Sequence, residues 1–232
     1  MNVLVGYHQI AQAGKKNVNG EDAIFISKNY SCFAVFDGVG GWASEGIDCS
    51  AYSNSLSEGT KIAFQDNNIT NPIEIMQFSY EHSKEITGTS TACIVVIEGY
   101  SLKAANLGDS RFIVLRNQKV LLCSRDQTMD WNTPYQIGTD SKMTPKTHAE
   151  AYSIELKPND FVILGTDGVF DNLSHQDIMN ILYTKNDSNS SNLAKQITLK
   201  SQEISLNKKA TVPFGKEAKK QGQKWEGGKE DD

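Results

Sequence analysis

The chain has 232 residues, 38% of them hydrophobic and 22% charged, with a formal net charge of −5. That length suits one well-buried domain, and that composition excludes a disordered chain. The acidic balance, with no lysine or arginine stripe outside the last twenty or so residues, argues against nucleic-acid binding, and no apolar run is long enough to span a bilayer.

In chain order, the first apolar segments, Ala23–Ile26 and Cys32–Phe36, read as strands. Residues 45–65 and 71–85 follow as helices. Asn71 suits an N-cap and Pro72 a first turn, while Ile73, Met76 and Tyr80 share one face for core packing. Strands then run over 91–97 and 102–106 about Glu98-Gly99, over 111–115 and 120–124 about Asn117-Gln118, and over 152–156 and 161–166 through Pro158-Asn159. Ser174 opens another helix, with Asp177 completing a capping box. Residues 186–192 read as a Ser/Asn loop and 216–224 as a solvated helix face. Short strands joined by tight turns imply antiparallel sheet, and their segregation from the helices implies a layered α+β fold. Residues 1–232 read as a single domain. Cys32, Cys49, Cys93 and Cys123 lack zinc spacing and read as small buried hydrophobes in a reducing compartment. No signal or transit peptide is visible, although Met1 lies close enough to the first strand for a presequence to have been removed.

Two of these strands run into Asp-Gly: Asp37-Gly38 and Asp167-Gly168. Glu21-Asp22, Asp109 and Asp231-Asp232 place further carboxylates at strand ends or beside glycines. A single Asp-Gly is most often a turn. Five acidic points at the ends of buried strands are better explained by a hard divalent cation, Mg²⁺ or Mn²⁺, which takes oxygen ligands and keeps several waters. A pair of such cations can share a hydroxide that attacks phosphorus in line. Gly-x-Ser-x-Gly, a P-loop and Cys-x5-Arg are absent, which removes esterases, P-loop NTPases and thiol phosphatases. His8, His82, His148 and His175 lie outside every motif.

The ordered blocks Gly20-Glu21-Asp22-Ala23, Asp37-Gly38-Val39-Gly40-Gly41-Trp42, Gly88-Thr89-Ser90-Thr91-Ala92, Asn106-Leu107-Gly108-Asp109-Ser110-Arg111 and Thr166-Asp167-Gly168-Val169-Phe170-Asp171-Asn172 resemble the metal-dependent serine/threonine protein phosphatases of type 2C. Trp42 and Asn132-Thr133-Pro134-Tyr135-Gln136 resemble its divergent eukaryotic branch, some of whose members act in mitochondria or plastids. The resemblance implies two antiparallel sheets packed as a β-sandwich between helices, an α-β-β-α layering, with a binuclear Mn²⁺ or Mg²⁺ centre at one end. It implies an intracellular, monomeric enzyme, cytoplasmic or in a mitochondrial or plastid matrix, acting on phosphoserine and phosphothreonine in phosphoproteins. By position, it makes Asp37 the bridging carboxylate, Gly38 a carbonyl ligand of the first metal, and Asp167 and Asp231 ligands of the second. Glu21 and Asp22 would hold metal-bound waters, which leaves Asp37, Asp167 and Asp22 as the expected catalytic acids. Asp109 and Asp171 would recruit a weaker third cation beside Asp167. Thr89 and Ser90 would support the backbone beneath the site.

Three departures accompany the resemblance. Val39 stands where many relatives have a histidine that protonates the leaving group. Lys15-Lys16-Asn17 stands where many have a phosphate-gripping arginine, leaving Lys16 as the candidate contact, a point charge without the guanidinium fork. Gly228-Lys229-Glu230-Asp231-Asp232 stands where the family pattern leads into a last apolar strand. The sheet is therefore expected to lack that strand, with the chain truncated at this end and Asp231 loosely held. These departures motivate an alternative, a weak or inactive pseudophosphatase serving as a binding module. A calcium-binding module is disfavoured because the acids are dispersed along the chain.

Overall fold

A computed structural model describes residues 2–15, 20–184 and 189–232. Five strands form one antiparallel sheet in the order β1 (Ala23–Ile26), β2 (Cys32–Phe36), β4 (Ala92–Glu98), β5 (Ser101–Leu107) and β11 (Glu150–Glu155). A second sheet orders β12 (Phe161–Gly165), β6 (Arg111–Arg116) and β7 (Lys119–Cys123), also antiparallel. Two small ribbons pair β3 (Thr89–Ser90) with β10 (Ile137–Gly138) and β8 (Thr128–Asp130) with β9 (Thr133–Pro134).

Period-two alternation in the central strands produces the layering. In β4, Ile94 and Val96 pack with Tyr52, Leu56, Ile75 and Met76 of α1 (Cys49–Lys61) and α2 (Pro72–Ser83). Val95 and Ile97 point the other way, against Phe112 and Val114 of β6. Ile113 and Leu115 emerge on the far face of β6 and meet Ile178 and Leu182 of α5 (His175–Thr184) and Leu193 and Ile197 of α6 (Ser190–Ser205). Helices, sheet, sheet and helices follow in order. With both faces covered, the central strands read as unbroken apolar runs.

The helical expectations need two corrections. Residues 45–65 do not form one helix: a 3₁₀ turn, Gly40–Glu45, ends at Gly46 in the left-handed region (φ 79°), and α1 starts afresh behind Asp48, whose carboxylate accepts the Ser50 N–H. A π-helical turn, Ile62–Asp66, then closes α1. Residues 190–192, expected in a loop, open α6, because the Asn189 side chain caps it by accepting the Asn192 N–H. Residues 186–188 of that loop lie outside the described residues. The capping box at α5 is formed: Ser174 N–H donates to the Asp177 carboxylate at 2.9 Å, and Asp177 N–H donates back to the Ser174 hydroxyl at 3.2 Å. A four-residue turn, α3 (Pro145–His148), precedes β11; a second, α4 (Asp167–Phe170), follows β12; and α7 (Pro213–Lys220) covers part of the 216–224 segment.

The outer edges of β1 and β12 have no strand partner among the described residues. Both line an apolar groove of about 570 Å³, with Ile24, Ile26, Val162, Leu164, Leu193 and Ile197 among its walls. Residues 2–10 run along it without regular structure. No described helix is long and apolar enough to cross a membrane.

Candidate functional site

The fold gathers the expected acids from five separate stretches of chain. Asp37 follows β2 and is held by Thr91, which accepts its N–H at 3.3 Å and donates its own N–H to the Asp37 carbonyl at 3.0 Å. Asp109 sits in the turn after β5. Asp167 and Asp171 lie at the two ends of α4, one helical turn apart and joined by the Asp171 N–H to Asp167 carbonyl bond of 2.8 Å. Asp22 precedes β1 and accepts the Thr166 hydroxyl.

Both Asp-Gly glycines are required by close approach of backbone. A Cβ on Gly38 would collide with the carbonyls of Glu21 and Cys49, and one on Gly168 would collide with the carbonyl of Asp232. The glycines thus bring the end of β2 against the Glu21 segment and α4 against the Asp231-Asp232 pair. That pair is better held than expected. The Asp232 carboxylate accepts the N–H groups of Gln12 at 2.7 Å and Glu21 at 2.5 Å, and the Asp231 carboxylate accepts the Asp232 N–H at 3.0 Å. Backbone donors anchor this segment without help from another strand. Thr89 and Ser90 do lie beneath the site. Gly38 bridges to Ser90, the Thr89 carbonyl accepts the Val39 N–H, and the Thr89 hydroxyl accepts the Trp42 indole N–H at 2.8 Å.

The acids act on one another. Burial pushes the Asp37 carboxyl well up, and Asp22, Asp167, Asp231 and Asp109 add to the shift. Burial likewise raises Asp22, reinforced by Asp232, Asp167 and Asp231 against the Thr166 hydroxyl. Asp109 is pushed up to about 8 by burial and then by Asp167 and Asp171. Asp171 rises to about 7 and Asp231 to about 6, burial again leading, with Lys229 opposing both. One Asp109 carboxylate oxygen, Oδ1, is buried without a hydrogen-bond partner.

No group of three acidic, cysteine or histidine side chains closes into a metal cage among the described residues. The mutual repulsion of the carboxylates and the unpartnered Asp109 oxygen nevertheless fit a hard cation. Mg²⁺ and Mn²⁺ bind through few carboxylates and complete their shells with water and backbone oxygen, so a tight cage is not needed.

Sequence reasoning missed two cations here. Lys229, only 8% exposed, donates from Nζ to Asp167, to Asp171 at 2.7 Å, and lies 3.4 Å from Asp231. Burial works against its charge, yet Asp167, Asp171 and Asp231 outweigh burial and hold the ammonium above its usual range. Lys15 pairs with Glu21, so Glu21 carries its own counter-ion. Lys16, the expected phosphate contact, lies outside the described residues. A run of two glycines and a lysine before an acidic pair was the only sequence signal for Lys229.

Residues 13–132 match the family described as Protein phosphatase 2C. The chain belongs to the protein phosphatase 2C family. It is 37% identical over 241 residues to the 5-azacytidine resistance protein azr1 of Schizosaccharomyces pombe, covering 92% of this chain and 79% of that one. It is 33% identical over 230 residues to the protein phosphatase PTC7 homolog fig of Drosophila ananassae, covering 90% and 69%. The X-ray structure of the photosystem II phosphatase PBCP superposes with a TM-score of 0.91 at 26% identity, covering 97% of this chain and 94% of the other. As a protein phosphatase 2C, the chain is a metal-dependent protein serine/threonine phosphatase with the α+β fold described above.

Proposed function

We propose that the chain hydrolyses phosphoserine and phosphothreonine in phosphoproteins at a centre of two Mn²⁺ or Mg²⁺ ions. In this reading Asp37, the Gly38 carbonyl, Asp167 and Asp231 would hold the ions, with Asp37 shared between them, and Asp22 and Glu21 would hold coordinated water. The observation that carries it is the pooling of Asp22, Asp37, Asp109, Asp167, Asp171 and Asp231 in one buried neighbourhood where each acid raises others. Like charges so arranged invite a divalent partner. When bound, the ions supply an activated water and neutralise phosphoryl oxygens. The chain's own contribution is placement. Thr91 fixes Asp37, the Thr166 hydroxyl steadies Asp22, and Asp232 ties the Glu21 backbone against α4.

The test is hydrolysis of a phosphothreonine peptide. Activity should require Mn²⁺ or Mg²⁺, vanish in EDTA and ignore okadaic acid, and Asp167→Asn should lose it, since an amide is a poor ligand for a second cation. EDTA-resistant turnover would defeat the reading. A folded chain that binds Mn²⁺ but shows no turnover would favour the pseudophosphatase.

A further inference from the structure

The ammonium of Lys229 occupies the space between the two carboxylates of α4. It donates to Asp167 and, at 2.7 Å, to Asp171, while Asp231 lies at 3.4 Å and the Phe214 ring at 4.9 Å to its centroid. Its backbone is held at both polar atoms by one side chain. Lys229 N–H donates to Asn172 Oδ1 at 2.9 Å, and Asn172 Nδ2 donates to the Lys229 carbonyl at 2.8 Å. Asn172 directly follows Asp171, so the clamp fixes the lysine relative to the acids it meets. Phe214 belongs to the same assembly, since its N–H donates to the Asp171 carbonyl at 3.1 Å. The cation is delivered by a fixed backbone and does not sit there by chance of a flexible surface chain.

We propose that the Lys229 ammonium is a built-in substitute for a third divalent cation, bridging Asp167 and Asp171 so that the loaded centre holds two metal ions and no more. This inference rests on the two-ion reading above. A tethered cation is present at every metal concentration and loses no translational freedom on binding, whereas a third Mn²⁺ would have to evict a buried ammonium from its two shortest carboxylate contacts. Lys229 is then a positioning residue, acting on substrate only through the acids it holds. Asp109, whose Oδ1 lacks a partner, keeps an oxygen for a third ion that could enter only once the ammonium is removed.

The experiment is a count of bound Mn²⁺ by calorimetry and by electron paramagnetic resonance on the full chain. Wild type should bind two ions. Lys229→Met, close in length and neutral, should bind three, the added one the weakest, and Lys229→Met with Asp171→Asn should return to two. Asp171→Asn with the lysine retained should also bind two, and this count needs no lysine variant to fold. Three ions on wild type, two on Lys229→Met, or one ion fewer on Asp171→Asn would each overturn the inference. A wild type that binds none would instead sink the two-ion reading and this inference with it.

Discussion

At the scale of single residues, Asp37 and Val39 answer different questions. Asp37 is where the field of four other acids converges, so Asp37→Ala should abolish Mn²⁺-dependent turnover while raising the melting temperature of the metal-free protein. Retention of even about a tenth of wild-type turnover at saturating Mn²⁺ would show that the charge balance converges elsewhere. Val39 is partly exposed at the start of the 3₁₀ turn after Asp37-Gly38, and valine offers no proton. Histidine there, with a pKa near neutrality, should leave p-nitrophenyl phosphate hydrolysis unchanged and speed release of a serine or threonine alkoxide. Comparing the two substrates checks it: equal effects on both would mean that the side chain never meets the leaving group.

At the scale of elements, the central strands have no solvent face, so a cavity in β4 or β6 cannot be refilled by water. Ile94→Ala in β4 should cost about 2–5 kcal/mol in urea unfolding with an unchanged slope. Arg116, at the end of β6, grips Asp160 in the turn before β12 with two bonds of 2.7 and 2.6 Å, and Lys157 N–H adds a third at 2.8 Å. The Arg116 pairing first, and that N–H next, hold the Asp160 carboxyl below its usual range. The stability it lends is therefore present above pH ~4 and lost as pH falls through the lowered value. Asp160→Asn should melt earlier than wild type at pH 7, with the gap closing in acid; a gap that persists at pH 2 would assign the loss to packing. These strands were legible in the sequence because burial on both faces wrote them as continuous apolar runs, and β1 and β2 fall where expected. The α1 boundary was not, because the break depends on Gly46 adopting a left-handed conformation and Asp48 capping anew. Ribbons of two or three residues, such as β3 and β10, are too short to show a period. The strand-end acids were legible by type. Lys229 was not, because its partners lie 58 and 62 residues away and only the fold brings them to it.

At the scale of the molecule, the metal-free protein carries several acids whose folded pKa values stand far above their unfolded ones: Asp109 near 8, Asp171 near 7 and Asp231 near 6. Between about pH 4 and 8 the folded state therefore holds more protons than the unfolded, and stability falls as pH rises. In EDTA the melting temperature should drop from pH 5 to pH 8, and Mn²⁺ should restore more at pH 8 than at pH 6. A flat or rising profile would contradict the burial of these carboxylates. Asp232, next to Asp231, makes the most distant of the pairings among the described residues. Asp232 holds the backbone of Gln12 and Glu21 across 220 and 211 positions, and its carbonyl rests against Gly168. A ribosome releases Asp167 and Asp171 between 58 and 62 residues before it reaches Lys229, so the growing chain carries these carboxylates before the ammonium that pairs with them has been made. The sandwich layers can begin to assemble from local hairpins in that interval. The site cannot, and catalytic competence has to wait until the stretch from Lys229 to Asp232 has been made.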